Sequence, residues 1–333
     1  MDKRSTIFED LLGSHQVLVA DGAMGTTLFS LGLEGGGCPE LLNLTEADLV
    51  EKVHRSFIEA GADIILTNTF GGNRRRLALH GLQDRVAELN RTAVERAAAA
   101  VADADRPIAI AGSIGPTGDL FEPLGPLSHE AGVDVFAEQA TALAEAGADV
   151  LWVETLSSWE ELEAAVDATS GLGLPVATTL SFDTNGRTMM GISASQVARW
   201  WSGRADSPAA FGANCGIGPG DAVAAAHDIT DVAPGAVAIA KANCGMPLYE
   251  TDRLVYPVGP DGMADYVELA IRAGARIVGA CCGSTPDHVA AIRQAVDRGA
   301  TGPRPEHAEI IARLDASSRP TAVAARRNRR RDG

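Results

Sequence analysis

Two adjacent cysteines, Cys281 and Cys282, stand in the segment GACCGSTPDHV at residues 279–289. Neighbouring side chains of a strand point to opposite faces, so such a pair seldom serves a single packing purpose. A disulfide between them is geometrically poor, because bridged Cα atoms usually lie well beyond the roughly 3.8 Å that separates adjacent residues. Unless the pair arises by chance, it indicates metal binding or thiol redox chemistry.

A third cysteine, Cys215, ends the apolar run AAFGANCG, and the adjacent pair ends a second such run, RIVGACCG. If both runs are strands of one parallel barrel, their ends meet at one mouth and three thiolates can converge there. Three thiolates and one open position are typical of catalytic zinc, whereas a structural zinc site usually has four protein ligands. The alternative from the residues alone is three buried free cysteines that act as small hydrophobic side chains.

The remaining two of the five cysteines, Cys38 and Cys244, have no predicted role. An odd number of cysteines in a chain of 333 residues without a signal-peptide pattern argues against a disulfide framework. Two other hypotheses stay open. One is a vicinal dithiol that performs redox chemistry without a metal, which leaves Cys215 unexplained, and the other is a zinc or amino-acid binding module without catalysis.

The elements that would position these thiols follow a repeated plan. The segments EAGADIILTNTF, EAGADVLWVET and RAGARIVGACCG each join a helix end and a glycine to an apolar run. Glycine at that place closes a helix in the left-handed conformation. A near-continuous apolar run is typical of a strand that is buried on both faces of a parallel sheet. Each segment is therefore predicted to be the helix-to-strand half of a βα repeat.

Eight such apolar runs occur along the chain, with amphipathic helical stretches between them. Eight strand–helix units in roughly 300 residues predict an α/β protein that folds as one (β/α)8 TIM barrel domain. A doubly wound open sheet is the second possibility. We expect an N-terminal extension at residues 1–15, the barrel at residues 16–300, and a C-terminal segment at residues 301–333 that ends in a basic, disordered tail.

Polar, small or reactive residues end every predicted strand. In a barrel these positions form the carboxyl-terminal mouth, where active sites are built. The sequence therefore predicts one site at this mouth. The residues at the strand ends are Asp21 and Gly22, Thr67 to Thr69, Ser113, Glu154 and Thr155, Ser181, Asn214 and Cys215, Asn243 and Cys244, and Cys281 and Cys282.

Composition excludes several classes of partner. The net charge of −16 argues against nucleic acid, because binding to phosphates requires a basic surface. The longest apolar runs are much shorter than the roughly 18 residues of a membrane-spanning helix. The N-terminus lacks the apolar region of a signal peptide. We therefore expect a cytoplasmic protein that binds neither nucleic acid nor membrane, and the sequence leaves open whether it forms a homo-oligomer.

Several motifs, which occur in order along the chain, resemble those of the zinc-dependent homocysteine S-methyltransferases. They are DGAMGTTL, LTNTFGGN, GSIGPTG, ETLSS, GANCGIGP and GACCGSTPDHV. The segments LFSLGLEGGGCPEL and SFDTNGRTMMG resemble most the bacterial betaine–homocysteine S-methyltransferase branch. The resemblance implies a (β/α)8 fold and an enzyme that transfers a methyl group to the sulfur of homocysteine, giving methionine, with Zn²⁺ as cofactor.

The resemblance also implies the metal ligands. Cys215, Cys281 and Cys282 match the zinc ligands of the family, and Asn243 matches a residue that fills the fourth position in some members when substrate is absent. A free thiol has an ordinary pKa of about 8.5, so it is mostly protonated and a poor nucleophile at neutral pH. Binding to zinc removes this proton. Cys244 stands where alanine is common in the family, and the resemblance gives it no role.

For the substrate, the resemblance implies contacts at two strand ends. The turn of Asp21 and Gly22 matches the backbone that meets the amino-acid carboxylate of homocysteine. Glu154 matches the carboxylate that pairs with its α-ammonium group. Further candidates for the substrate site are Thr67, Asn68 and Ser113.

A positively charged methyl donor suits an anionic zinc–thiolate site, so we expect a small onium compound, with betaine favoured. Animal betaine enzymes hold the trimethylammonium group with aromatic residues, but Gly71 and Thr155 stand where those enzymes carry tyrosines. Phe70 and Phe121 are candidates for donor binding in their place. The alternative donors are S-methylmethionine, or methylcobalamin held on a separate corrinoid protein, as for the homocysteine module of a split cobalamin-dependent methionine synthase.

Overall fold

The computed structural model describes residues 6–250 and 253–315 of the chain. Within these residues, eight parallel strands form one sheet, and a short antiparallel pair of strands follows the seventh of them along the chain. The strands are β1 (Leu18–Val19), β2 (Ile64–Leu66), β3 (Ala109–Ile114), β4 (Val150–Leu156), β5 (Val176–Leu180), β6 (Ala210–Cys215), β7 (Ala238–Ala242), β8 (Leu248–Glu250), β9 (Arg253–Val255) and β10 (Ala275–Ala280).

The sheet closes on itself. Its strand order is β1-β10-β7-β6-β5-β4-β3-β2, and the two outer strands meet through a parallel bridge between Ala20 and Ile64. The Asp63 amide donates to the Val19 carbonyl at 2.7 Å, and the Asp21 amide donates to the Ile64 carbonyl at 2.9 Å. Closure leaves no free edge, which confirms the predicted (β/α)8 barrel and excludes the doubly wound open sheet.

Helices surround the barrel and connect its strands. The glycines that were predicted to end three of them, Gly61, Gly147 and Gly274, have φ angles of 102°, 102° and 99°, in the left-handed range. The outer helices are α4 (Ala47–Glu59), α6 (Val86–Val101), α7 (His129–Ala146), α8 (Trp159–Thr169), α9 (Ala194–Ser202), α10 (Pro219–Val232), α11 (Pro260–Arg272) and α12 (Pro286–Arg298). The shorter or terminal helices are α1 (Ile7–Ser14), α2 (Met24–Ser30), α3 (Leu42–Thr45), α5 (Arg74–Leu77) and α13 (His307–Ile310).

Two apolar layers hold these elements together. One fills the barrel with inward side chains such as Ile64, Trp152 and Ile277, and Phe8 and Leu11 of α1 join it from the ends where the strands begin. The other layer lies between the strands and the outer helices. Because α1 packs where the strands begin, the opposite mouth, where the strands end, is the one left for a site.

The C-terminal segment packs on the outside of the barrel, where α13 contacts α10. The predicted basic, disordered tail lies outside the described residues. Among the described residues, none of the helices combines the length and apolar character that a membrane span requires.

Candidate active site

A cavity of about 320 Å³ opens at the carboxyl-terminal mouth of the barrel. Residues at or just after the carboxyl-terminal ends of β1, β2, β3, β4, β6, β7 and β10 surround it, so the strand ends converge as the sequence predicted. Its lining includes most of the predicted site residues, namely Gly22, Thr67, Asn68, Ser113, Glu154, Cys215, Cys281 and Cys282, and several residues that were not predicted, among them Lys241.

The three cysteine sulfurs at this mouth lie close together without being bonded. The Sγ atom of Cys215 lies 3.8 Å from that of Cys281 and 3.8 Å from that of Cys282. A disulfide would require about 2.05 Å. Two sulfurs that bind one tetrahedral zinc ion at about 2.3 Å each are separated by about 3.8 Å. The spacing of these thiols therefore fits a zinc ion.

Sharp backbone turns direct these sulfurs to one point. Cys215 has a φ of 60°, in a left-handed region that is costly for a residue with a side chain and is found most often at functional sites. β10 ends at Ala280, so Cys281 and Cys282 lie on a turn rather than on opposite faces of a strand. Gly283 follows with a φ of 84°, and a Cβ atom there would lie 2.1 Å from the ring of Tyr256. This glycine is therefore required by both conformation and space.

Asn243 is held beside the cysteines. Its amide donates to the Cys215 carbonyl at 3.4 Å, and its Nδ2 donates to the Gly216 carbonyl at 2.7 Å. The Oδ1 atom is buried and has no hydrogen-bond partner among the described residues. An unpartnered buried oxygen on a residue that is hydrogen-bonded to the backbone of Cys215 and Gly216 fits a group that can bind a metal, and its role as a fourth ligand stays a prediction.

The two cysteines without a predicted role do not add their sulfurs to this cluster, although the Cys244 amide donates to the Cys282 carbonyl at 3.0 Å. Cys244 is fully buried in the apolar layer outside the barrel, where burial raises the pKa of its thiol to about 12. Cys38 donates to Glu40 Oε2 at 3.2 Å, and burial together with this carboxylate raises the pKa of its thiol to about 11. Neither thiol is available as a thiolate at neutral pH.

Within the cluster, one thiol is already biased toward the thiolate. Shared hydrogen bonds with Cys215 and Cys282 lower the pKa of Cys281 well below its ordinary value, and the charge of Lys241 acts in the same direction against the effect of burial. The Nδ2 of Asn214 lies 3.9 Å from the Cys281 sulfur and points a further donor at it. These contacts favour the ionised thiol that metal binding requires.

Glu154 lies at the end of β4 and lines the cavity, although only 7% of it is exposed. Ser113 Oγ donates to its Oε1 at 2.6 Å. Burial raises the pKa of Glu154 to about 7, against the opposing effect of Lys241. A buried carboxylate of this kind gains from a positively charged ligand, so its geometry fits the predicted partner of an α-ammonium group.

The backbone after Glu154 is fixed by Asn214, a residue to which sequence reasoning gave no role. Thr155 has a φ of 67°. Asn214 Oδ1 accepts from the Thr155 amide at 2.9 Å, and its Nδ2 donates to Thr155 Oγ1 at 2.7 Å. Asn214 precedes Cys215, so one side chain ties the carboxylate strand to the metal-ligand strand. Its position at a strand end was visible in the sequence, whereas its partner was not.

Asp21 is occupied by the barrel itself. Its amide donates to Ile64, its carbonyl accepts from Ala280 at 3.3 Å, and its Oδ2 accepts from the Leu66 amide at 2.8 Å. Burial raises the pKa of Asp21 to about 6, with Lys241 opposing. The Asp21 amide therefore completes the closure of the barrel, and the carboxylate contact that the resemblance implies for the backbone of the turn at Asp21 and Gly22 stays a prediction.

Lys241 is the main site residue that sequence reasoning missed. It lies on β7, is 3% exposed, and its Nζ is 3.6 Å from Asp21 Oδ1. Burial alone would lower its pKa, but Asp21, the Cys281 thiolate and Glu154 raise it above the ordinary value, so the ammonium group is charged. The only signal in the sequence was a lysine inside an otherwise apolar strand, AVAIAKANCG.

Thr67 and Asn68 line the cavity but use their polar atoms within the protein. Thr67 Oγ1 accepts from the Ser113 amide at 3.0 Å and lies 2.6 Å from Thr69 Oγ1. Asn68 Nδ2 donates to the Pro39 carbonyl at 2.7 Å. These contacts favour a role in shaping the cavity wall over direct substrate binding.

The two phenylalanines considered for donor binding differ in position. Phe70 is 40% exposed and lines the cavity, as does Phe29, which sequence reasoning missed. Phe121 is buried, and its ring lies against Gly132 of α7, in the layer between strands and helices. Phe121 is therefore a packing residue outside the cavity lining, and Phe70 is the candidate that remains.

A second group of metal-binding residue types lies far from this cavity, on the outer surface. His307 Nε2 of α13 is 2.8 Å from Asp228 Oδ1 of α10, and His227 Nδ1 is 3.4 Å from the same oxygen. Arg304 donates to the backbone carbonyl of His227. These contacts attach the C-terminal segment to the barrel, and the adjacent guanidinium group opposes binding of a cation.

Comparisons with known proteins identify the family of this chain. The sequence is similar to methionine synthase of Mycobacterium leprae (strain TN), with 32% identity over 305 residues, and of Mycobacterium tuberculosis (strain ATCC 25618 / H37Rv), with 34% identity over 303 residues. These matches cover 86% and 85% of this chain, which spans about a quarter of the length of those relatives (25% in each case).

The fold is similar to the crystal structure of the homocysteine methyltransferase MmuM from Escherichia coli in its metallated form. The TM-score is 0.73 with 25% identity, and the match covers 86% of this chain and 99% of that one. The model of the homocysteine S-methyltransferase family matches residues 18–296, which include every strand of the barrel and the three converging cysteines. The chain therefore belongs to the homocysteine S-methyltransferase family.

Proposed function

We propose that this protein transfers a methyl group from a small onium donor to the sulfur of homocysteine, giving methionine, with zinc as its cofactor. The observation that carries the proposal is the placement of three thiols, 3.8 Å apart in two pairs, in one cavity with the buried carboxylate of Glu154. A metal site and an ammonium site in one cavity suit an amino acid that carries a thiol.

The chain's own residues would bind and orient the reactants. Cys215, Cys281 and Cys282 would hold the zinc ion, which when bound keeps a substrate thiol ionised at neutral pH. Glu154, oriented by the 2.6 Å hydrogen bond from Ser113, would hold the α-ammonium group. Fixing both ends of the acceptor presents its sulfur to the donor in one orientation, and such positioning supplies much of the acceleration. The transfer itself needs no general base.

The charge of the cavity supports a cationic donor, with betaine favoured. Three thiolates around a divalent cation carry a net negative charge, which attracts a positively charged methyl donor. Glu40 adds a carboxylate to the cavity wall, and the Gly71 amide donates to its Oε1 at 2.6 Å. The exposed rings of Phe29 and Phe70 lie on the same cavity and offer faces for a cation.

A second candidate donor is a methylcorrinoid held on another protein or domain. The observation in its favour is the similarity to the two methionine synthases, in which this chain corresponds to about a quarter of the length (25%). S-methylmethionine is a third candidate, because it is also an onium compound. The cytoplasmic location stays a prediction.

The test is a comparison of methyl donors with zinc-loaded protein and homocysteine. Betaine, dimethylsulfonioacetate, S-methylmethionine and methylcobalamin are assayed side by side, and methionine is measured. We expect methionine from an onium donor, and none from the matched Cys215→Ala protein. Methionine from methylcobalamin alone would replace the onium donor by a corrinoid, and an absence of methionine with every donor would contradict the proposed reaction.

A further inference from the structure

Glu40 places a buried carboxylate in the wall of the cavity, next to an aromatic side chain. It lies in the single helical turn Pro39–Leu41, is 5% exposed, and lines the cavity. The Gly71 amide donates to its Oε1, so the carboxylate is fixed beside Phe70, the preceding residue. The contacts of this carboxylate indicate which feature of a methyl donor it selects.

The two donors that hold the Glu40 carboxylate are neutral. Gly71 provides its backbone amide at 2.6 Å from Oε1, and Cys38 provides its thiol at 3.2 Å from Oε2. Burial and the nearby carboxylate raise the pKa of Cys38 to about 11, so this thiol keeps the proton that it donates. A carboxylate has about four acceptor sites, and a buried one is costly unless a positive charge compensates it. Two neutral donors leave the charge of Glu40 uncompensated.

The basic residue of the cavity lining is paired with other groups. Lys241 lies 3.6 Å from Asp21 Oδ1. Burial would lower its pKa, and the charges that overcome this effect belong to Asp21, Cys281 and Glu154. The other residues of the lining are neutral or acidic. The cation that compensates Glu40 is therefore expected from a ligand in the cavity.

The wall around Glu40 is shaped for a cation that carries methyl groups. A Cβ atom on Gly71 would lie 2.9 Å from Glu40 Oε1, so this glycine makes room for the carboxylate. A Cβ atom on Gly115 would lie 2.8 Å from the ring of Phe70, so a second glycine makes room for the ring. The exposed rings of Phe29 and Phe70 lie on the same cavity. Aromatic rings attract methylated cations, which have no proton to donate in a hydrogen bond.

We infer that Glu40 is the residue that makes the protein selective for a cationic methyl donor, because its carboxylate pairs with the onium centre. The inference rests on the proposed function and assigns its donor specificity to one side chain. Methyl groups on a positively charged nitrogen or sulfur gain the attraction of the carboxylate. The same methyl groups on a neutral carbon gain only apolar contacts with the cavity wall. The selection is therefore for the charge of the donor rather than for its shape.

Two ligands of the same shape test this selection. Betaine and 3,3-dimethylbutanoate share a carboxylate and a trimethyl group, which is centred on a cationic nitrogen in betaine and on a neutral carbon in 3,3-dimethylbutanoate. Their affinities for zinc-loaded protein are measured by calorimetry, and the ratio of the two cancels the effect of Glu40 on the shared carboxylate. We expect the unchanged protein to prefer betaine by at least about tenfold. Glu40→Gln, which keeps an acceptor for the Gly71 amide, should lower this ratio by about ten- to hundredfold.

Cys38→Ala is the matched control, because it removes a neutral donor to Glu40 and keeps the charge. It should retain the ratio within about threefold, and metal analysis should find zinc in both variants. A ratio that Glu40→Gln leaves unchanged would overturn the inference and make Glu40 a support of the cavity wall. Binding of 3,3-dimethylbutanoate by the unchanged protein as tightly as betaine would overturn it as well, whether or not the variant folds.

Methionine formation separates this inference from the proposed function. If Glu40→Gln removes the preference for betaine, but no onium donor gives methionine with the unchanged protein, the proposed function fails and Glu40 remains a binding residue for onium compounds. If an onium donor gives methionine with the same Michaelis constant in the unchanged protein and in Glu40→Gln, only the role of Glu40 fails.

Discussion

Removal of the Ser113 hydroxyl should weaken homocysteine binding in a way that depends on pH. Ser113 Oγ donates to Glu154 Oε1 at 2.6 Å, and this bond stabilises the ionised carboxylate. In the Ser113→Ala protein the Glu154 carboxylate stays buried but loses this hydrogen-bond donor. Its pKa, raised by burial to about 7 in the unchanged protein, should therefore rise further.

The magnitude follows from the strength of the lost bond. A hydrogen bond to a charged group contributes about 1.5–3 kcal/mol, which corresponds to a pKa of roughly 8–9 for Glu154 in the variant. At pH 7 the carboxylate would then be ionised in about one-tenth to one-hundredth of the molecules, compared with about half in the unchanged protein. Because only the ionised form pairs with an ammonium group, affinity should fall about five- to fiftyfold at pH 7 and by no more than about twofold at pH 9.

The assay is calorimetric titration of both zinc-loaded proteins with homocysteine between pH 6 and pH 9. The ratio of the two affinities cancels the titration of the ligand itself. In a Glu154→Gln background, Ser113→Ala should have no further effect, because the titrating group is gone. A loss that is the same at every pH, or that also affects a thiol without an ammonium group, would refute the reasoning.

Three further predictions concern other parts of the site. Cys215→Ala should lose the one zinc ion per chain that the unchanged protein is expected to bind, whereas Cys38→Ala should retain it, as metal analysis would report; full zinc in the first variant would contradict the ligand assignment. Asn214→Ala removes two hydrogen bonds to Thr155 and should lower the free energy of unfolding of the metal-free protein by about 1–3 kcal/mol; an unchanged midpoint in urea would count against this role. Phe70→Ala should raise the Michaelis constant for an onium donor several-fold more than that for homocysteine, and equal changes in steady-state kinetics would exclude it from donor binding.

The architecture of this protein could be predicted from the sequence because its repeat is local. Gly61, Gly147 and Gly274 close helices in the left-handed conformation, and each is followed by an apolar run that is buried on both faces. Both features depend on short segments of chain. Counting such runs was therefore enough to predict a closed barrel and the mouth at which its strands end.

The convergence of the cysteines could be predicted for the same reason, since strand ends of a barrel share one mouth. The hydrogen-bond and ion-pair partners of the residues within that mouth could not be predicted from the sequence. Lys241 looked like an exception in an apolar strand, and only the closed barrel brings it within 3.6 Å of Asp21, 220 positions earlier in the chain. Similarly, the use of the Asp21 amide in barrel closure depends on its register with Ile64, which no local pattern specifies.

Phe121 shows a different limit of sequence reasoning. It lies in a loop that follows a barrel strand, which made the cavity a reasonable place for its ring. Instead Gly132 of α7 leaves a space that the ring fills, and the side chain is 6% exposed. Whether an aromatic residue of a loop faces the cavity or the helices depends on such packing complementarity, which residue type alone does not reveal.

The central claim is that Cys215, Cys281 and Cys282 hold a zinc ion to which the substrate thiol binds. X-ray absorption at the zinc edge of the loaded protein, without and with homocysteine, tests it most directly. We predict three sulfur neighbours and one nitrogen or oxygen neighbour without homocysteine, and four sulfur neighbours at about 2.3 Å with it. Fewer than three sulfur neighbours in the free protein, or a sulfur count that homocysteine leaves unchanged, would contradict the claim.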